Sequence, residues 1–218
     1  MRKRSMSRAD VVHVLESEDM LPAIFFIFSR SGCNLAVQQL MRSNVRLTTD
    51  DERAAIKSAF RSAFADVSTE DANALRLGFI EKAAMCGLAA HHAGQLPSVK
   101  KVIEELFAAG LIKVVCATET LALGINMPAR TVVLDKLTKF NGTEHAKITP
   151  GEYTQLTGRA GRRGIDVQGH AVVVVSDSAV AEDVAGLAST RTYPLRSAFR
   201  PTYNMTVNLL QRFPVDEA

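Results

Sequence analysis

Short apolar runs along this chain alternate with stretches in which apolar residues recur every three or four positions. The run Ala23-Ile24-Phe25-Phe26-Ile27-Phe28 has no polar side, as a strand covered on both faces of a parallel sheet requires. Cys33, Val37, Leu40 and Met41 then recur at helical spacing and predict a helix. The stretch 50–85 reads as two amphipathic helices with a polar joint near 66–71, the first opened by the cap Thr48-Thr49-Asp50. Leu88-Ala89-Ala90-His91 is a short strand candidate. Ser98 is expected to cap a helix whose face is Val99, Val102, Ile103, Leu106 and Phe107, and Gly110 to end it. Further strands are expected at 112–117, at 131–134 and, buried, at 171–175. Strands alternating with helices in this way predict an α/β fold built on a parallel sheet.

The pattern changes after about residue 176. Pro194 and Pro201 bracket a basic linker with Arg191, Arg196 and Arg200, and a short helix at 203–210 has little to pack against. A core domain over 1–176 is therefore expected, with 177–218 a linker and the start of another unit. Composition adds bounds but no function. With 218 residues, 47% hydrophobic and 22% charged, the chain is an ordinary globular one. Its net charge of +3 permits nucleic-acid binding without arguing for it. Cys33, Cys86 and Cys116 are odd in number and lack metal-ligand spacing, which fits reduced thiols. The basic start Arg2-Lys3-Arg4 leads into Ser, Arg and Asp, unlike a signal peptide, and the apolar stretch 21–28 is too short to span a bilayer. A soluble, cytoplasmic chain with no membrane segment is the expectation.

The most informative segment is Tyr153-Thr154-Gln155-Leu156-Thr157-Gly158-Arg159-Ala160-Gly161-Arg162-Arg163-Gly164-Ile165-Asp166. Spacings of four and then three place Gln155, Arg159 and Arg162 on one face of a helix. Thr149 as N-cap, Pro150 at the first position and Glu152 as the capping-box partner mark its start. Gly158 and Gly161 weaken a helix by about 1 kcal/mol each, and their return is close approach of another surface. Two guanidiniums and an amide on such a face suit a polyanion such as a nucleotide phosphate.

Three other strings carry candidate chemistry. Ala117-Thr118-Glu119-Thr120 follows a strand, where open parallel sheets place ligands, and the Thr118 and Thr120 hydroxyls suit either a phosphate backbone or a helix cap. Ser29-Arg30 ends the first apolar strand and is equally suited to helix capping. In His91-His92-Ala93-Gly94-Gln95 a metal pair is rejected, since neighbouring strand residues face opposite ways and no third ligand is near in sequence. Asp51 and Glu52 are first-turn acids favoured by the helix dipole, and no Gly-x-x-x-x-Gly-Lys-Ser/Thr loop occurs. Half of a phosphoryl-transfer site is therefore missing, and the chain is not expected to hydrolyse ATP alone.

The Gln-x-x-Gly-Arg-x-Gly-Arg spacing resembles the arginine-finger motif in the second RecA-like domain of superfamily 2 helicases. With Arg163-Gly164-Ile165-Asp166 following, it is similar to the superkiller-like, exosome-type DExH RNA helicases. The resemblance covers nearly the whole chain and implies a RecA-like parallel sheet flanked by helices. It implies ATP and Mg2+ held mainly by a first RecA-like domain elsewhere in the protein, and a winged-helix domain following this one. Arg159 and Arg162 would meet the phosphates, Arg162 as the finger, with Gln155 orienting them or the attacking water. Gly124, Asn126 and Gly158 would lie near the nucleotide, although many relatives carry Asp where this chain has Asn126. Ser29, Arg30, His92, Gly94, Thr118 and Thr120 would grip a single strand, with RNA favoured over DNA. The competing expectation is a free-standing nucleic-acid-binding or regulatory module of the same fold, without a motor role.

Overall fold

The structure is a computed structural model that describes residues 6–124, 127–140, 144–175, 181–190 and 202–214. Its elements run α1 (Arg8–Ser17), β1 (Ala23–Phe26), α2 (Arg30–Arg42), α3 (Asp50–Ala63), α4 (Thr69–Ala74), α5 (Leu77–Ala84), β2 (Leu88–His91), α6 (Pro97–Ala108) and β3 (Val114–Ala117). They continue with α7 (Thr120–Gly124), β4 (Thr131–Leu134), β5 (Thr138–Phe140), β6 (His145–Lys147), α8 (Pro150–Thr157), β7 (His170–Val173), α9 (Ala181–Ser189) and α10 (Tyr203–Leu210). Five strands form one parallel sheet in the order β2-β3-β1-β4-β7, and β5 pairs with β6 as a separate antiparallel hairpin.

Side-chain alternation divides the core between the two faces of this sheet. Ile24, Phe26, Val115, Ala117, Val132 and Leu134 face one layer, where they meet Ile56 and Phe60 of α3, Ile103 and Phe107 of α6, Leu121 of α7 and Leu156 of α8. Ala23, Phe25, Val114, Cys116 and Val133 face the other, against Val12 and Leu15 of α1 and Cys33, Val37 and Leu40 of α2. Every residue of β1 is buried, as its unbroken apolar run predicts. Each of its two Phe side chains contributes about 1.5–3 kcal/mol by leaving water.

Several local expectations give way to tertiary structure. The stretch 50–85 forms three helices instead of two, because Ser68 caps α4 and Arg76 then turns left-handed (φ 55°) before α5 begins. Leu96, not Ser98, occupies the N-cap of α6, because Pro97 takes the first helical position and leaves Ser98 one residue inside. Strand β7 lies at the sheet edge and is only half covered, with Ala171 exposed, so it is not the fully buried strand its valine run predicts. Helix α10 has the expected bounds and no buried residue. Beyond residue 176, α9 lays Val184 and Leu187 against the first core layer, and Lys147 on β6 pairs with Asp183 at 2.8 Å.

Candidate nucleotide and nucleic-acid interface

Parallel pairing brings the ends of four strands level. Phe26 of β1 is in register with Ala117 of β3 and Leu134 of β4, and His91 of β2 with the same Ala117. The residues that follow therefore emerge on one rim of the sheet, the carboxyl side where open parallel sheets bind ligands. Ser29 caps α2 by accepting from the Gly32 backbone N–H at 3.1 Å, and Arg30 beside it is exposed. The capping role of Ser29 is thus real, and its own O–H stays available to donate. Thr118 and Thr120 share a hydrogen bond between their hydroxyls at 2.9 Å, and the Thr118 backbone N–H donates to the His91 carbonyl at 3.3 Å.

The two histidines do face apart. His91 Nε2 contacts Glu104 of α6 at 2.7 Å, whereas His92 Nε2 meets Asn34 Oδ1 of α2 at 3.3 Å. His92 Nδ1 accepts from the Gly94 backbone N–H at 3.2 Å, which assigns the proton to Nε2 of a neutral ring. Burial, then the neighbouring His91 and Arg30, push its pKa below the ordinary histidine value. Gln95 fixes this turn, accepting from the His92 N–H at 3.1 Å and donating to the Ala90 carbonyl at 2.9 Å. A Cβ at position 94 would lie 3.2 Å from His92 Nδ1 and 3.4 Å from Arg30 Cδ, so glycine lets the backbone approach both. Ser29, Arg30, His92, Gly94, Thr118 and Thr120 all belong to this one rim.

The arginines sit elsewhere. Helix α8 opens with the expected capping box, Thr149 with Glu152, and Pro150 at its first position. It ends at Thr157, with Gly158 as its C-cap, so Gln155 lies on the helix but Arg159 and Arg162 lie beyond it. This overturns the single helical face that the spacing predicts. The cause is pairing with the segment entering β4: the Ala129 N–H donates to the Arg159 carbonyl at 3.0 Å and the Gly161 N–H to the Ala129 carbonyl at 2.7 Å. Gly161 then turns left-handed (φ 90°), a conformation glycine adopts without penalty. Gly169 crosses so close that a Cβ there would stand 2.5 Å from the Ala160 carbonyl carbon. Gly158 itself is right-handed (φ −63°) and exposed.

Within this loop, Arg162 grips Asp166 through two points, Nε to Oδ2 at 2.8 Å and a terminal nitrogen to Oδ1 at 2.7 Å. The Arg162 backbone N–H adds a third bond, to Oδ2 at 2.8 Å. Hydrogen bonds from Arg162 hold the Asp166 carboxyl down at about 2 despite its burial. Of the five guanidinium N–H groups of an arginine, three remain outside this fork. Arg159 donates to the carbonyl of Ala122 in α7. Asp166 as the partner of Arg162 is a role that motif reading misses, although the four-residue spacing between them was its signal.

The strand rim and the arginine loop are thus built by different parts of the fold, and the Arg159–Ala122 bond brings the loop against α7. Thr120 begins α7 at the rim and Glu152 lies in the first turn of α8, while the arginine loop pairs with residues at the entry of β4. Helix α8, with 8 residues, runs roughly 12 Å from its capped start to the loop. Gly124 ends α7, and Asn126 lies outside the described residues. Among the described residues no group of three or more His, Cys, Asp or Glu is placed to hold a metal ion, and no helix is long and apolar enough to cross a membrane.

A parallel sheet with a polar rim at its strand ends and a glycine-shaped arginine loop fed by a capped helix defines the RecA-like class of helicase domain. Residues 36–164 match the family described as Helicase conserved C-terminal domain, and the chain belongs to it. It is 58% identical over 212 residues to "Probable helicase HelY" of Mycobacterium leprae, covering 95% of this chain and 23% of the relative. Identity is 45% over 205 residues to the "DExH-box ATP-dependent RNA helicase DExH15 chloroplastic" of Arabidopsis thaliana, covering 93% of this chain and 17% of that protein. It is 38% over 201 residues to the human "Exosome RNA helicase MTR4", covering 92% and 19%. The chain spans about a fifth of the length of these curated relatives.

Proposed function

We propose that this chain is the second RecA-like half of a superkiller-like, DExH-type ATP-dependent RNA helicase. In this reading residues 1–176 form the domain, and 177–218 lead into a winged-helix unit that covers the exposed apolar side chains of α10, such as Tyr203 and Val207. A first RecA-like domain in the same protein holds ATP and Mg2+, and the two domains close over the nucleotide. The bound nucleotide supplies the phosphoryl group that is transferred to water. This chain's part is electrostatic: Arg162, held by Asp166, turns its remaining N–H groups to the charge that develops on that group. Gln155 on α8 and Arg159 in the loop serve the same nucleotide, with Gly124 and Gly158 giving it room and Asn126 as a further contact.

The rim residues Ser29, Arg30, His92, Gly94, Thr118 and Thr120 carry the phosphate backbone of a single strand. Hydroxyls, an arginine and backbone N–H groups contact phosphates without reading bases, so binding is sequence-tolerant. RNA is favoured over DNA because the DExH15 and MTR4 relatives are named RNA helicases. The protein works in the cytoplasm in this reading. The observation that carries the proposal is the Arg162–Asp166 fork, since an arginine oriented in advance is what transition-state stabilisation requires. In the longer protein, Arg162→Ala should lower ATP turnover by roughly a thousandfold or more while strand binding persists. Turnover at the wild-type rate would sink the finger assignment. RNA and DNA, assayed side by side as stimulators of turnover, decide the strand type.

A further inference from the structure

Lys139 joins the turn that opens α7 to the start of α8. It sits on β5, outside the sheet, with its side chain only 18% exposed. Its ammonium group lies 2.6 Å from Glu119 Oε2 and 2.7 Å from Glu152 Oε1. Glu119 stands between Thr118 and Thr120, the hydroxyl pair of the strand rim. Glu152 is the capping-box residue of α8, and its other oxygen accepts the Thr149 N–H at 2.7 Å. One partly buried cation therefore clamps the turn that opens α7 to the first turn of α8. The helix it clamps carries Gln155, and the loop after it carries Arg159, which in turn bonds the Ala122 carbonyl of α7. Burial opposes the charge on both partners. Yet the hydrogen bonds win, raising Lys139 above and lowering Glu152 below their ordinary values.

We propose that Lys139 is a positioning residue that transmits strand binding at the Thr118–Thr120 turn to the arginine loop through the start of α8. The inference rests on the function proposed above. A strand phosphate pulling on Thr118 or Thr120 displaces Glu119 between them, and the ammonium passes that displacement to Glu152 and so to α8. A surface ion pair in this place would add little beyond stability. A clamp shared by two helices differs, because its loss separates two activities that otherwise rise together.

The test is the ratio of ATP turnover with saturating single-stranded RNA to turnover without it, in the full-length protein. Lys139→Met keeps the stem and removes the charge, and should cut that ratio by roughly tenfold, within the usual range of coupling energies. Lys139→Arg, which keeps a cation for both carboxylates, should retain most of it. Glu152→Gln preserves the capping box and should lower the ratio in the same direction, giving a second route if Lys139→Met folds poorly. A purely structural role lowers both rates by the same factor, so an unchanged ratio in Lys139→Met and Glu152→Gln overturns the proposal. A wild-type protein that RNA does not stimulate overturns the proposed function itself, and this inference with it.

Discussion

Asp166→Asn isolates what the fork around Arg162 contributes. The carboxylate accepts three bonds from Arg162, from the backbone N–H, Nε and a terminal nitrogen, and its side chain is 3% exposed. An amide of the same shape loses the charge, and whichever way it is turned, its NH2 group faces at least one arginine donor. A charge-assisted hydrogen bond is worth about 1.5–3 kcal/mol. These same bonds lower the carboxyl from an ordinary 3.8 to about 2, which is of the same order, about 2 kcal/mol. For a domain of this size, that lowers Tm at pH 7 by roughly 4–8 °C, read by calorimetry. Because the folded-state pKa is depressed, the stabilisation is complete above about pH 4 and is lost as pH falls through about 2. The Tm gap between wild type and variant should therefore close over that acid window. In the full-length protein the freed guanidinium loses its aim, and ATP turnover should fall by roughly tenfold or more, part of the thousandfold an arginine finger supplies. An unchanged Tm at pH 7, or a gap that persists at pH 2, would refute the fork as a stabilising contact. Unchanged turnover would refute it as an aiming device.

Other expectations follow from the same geometry. Gly169→Ala places a Cβ 2.5 Å from the Ala160 carbonyl carbon and the Gly161 nitrogen, so the backbone must shift. Overpacking of this kind costs about 1–3 kcal/mol, and urea denaturation should show it. Gly78→Ala is the control: among the described residues nothing lies within 4 Å of its added Cβ, and a helical site should gain about 0.5–1 kcal/mol. Arg30→Ala should weaken single-strand binding equally across sequences and reduce the salt dependence, dropping the log–log slope by roughly 0.7. Titrations at several salt concentrations check it, and an unaltered slope would remove Arg30 from the phosphate contacts.

The parts of the fold legible in the sequence are those where local pattern and burial agree. Strands β2 and β4 and helix α10 have the expected bounds, and β1 is apolar on both sides because both of its faces are covered. Helix α1 escaped notice although Val11, Val12 and Leu15 are all buried, because a short amphipathic segment behind a basic start gives a weak signal. The β5–β6 hairpin has strands of three residues, half exposed, with no continuous alternation to detect. The break between α4 and α5 depends on one left-handed residue, Arg76, which no propensity marks out.

The two halves of the site differ in legibility for one physical reason. Ser29, Arg30, Thr118 and Thr120 follow strands in the sequence and His92 and Gly94 rest on the family resemblance, and parallel pairing brings the strand ends that carry them level. Helical spacing, a local argument, predicts the arginine face, but the conformation of the loop is set by a partner 31 residues earlier, Ala129 pairing across to Ala160. Local spacing therefore named the residues and misplaced them. Lys139 and its two carboxylates lie at the meeting of both cases. Each is unremarkable in its own segment, and only the packing of the hairpin beside α7 and α8 makes the three one unit. If strand binding and nucleotide turnover are coupled in this protein, the coupling has to cross from a rim set by strand register to a loop set by long-range pairing. The Lys139 clamp and the Arg159–Ala122 bond both join α7 and its opening turn to α8 and the loop after it.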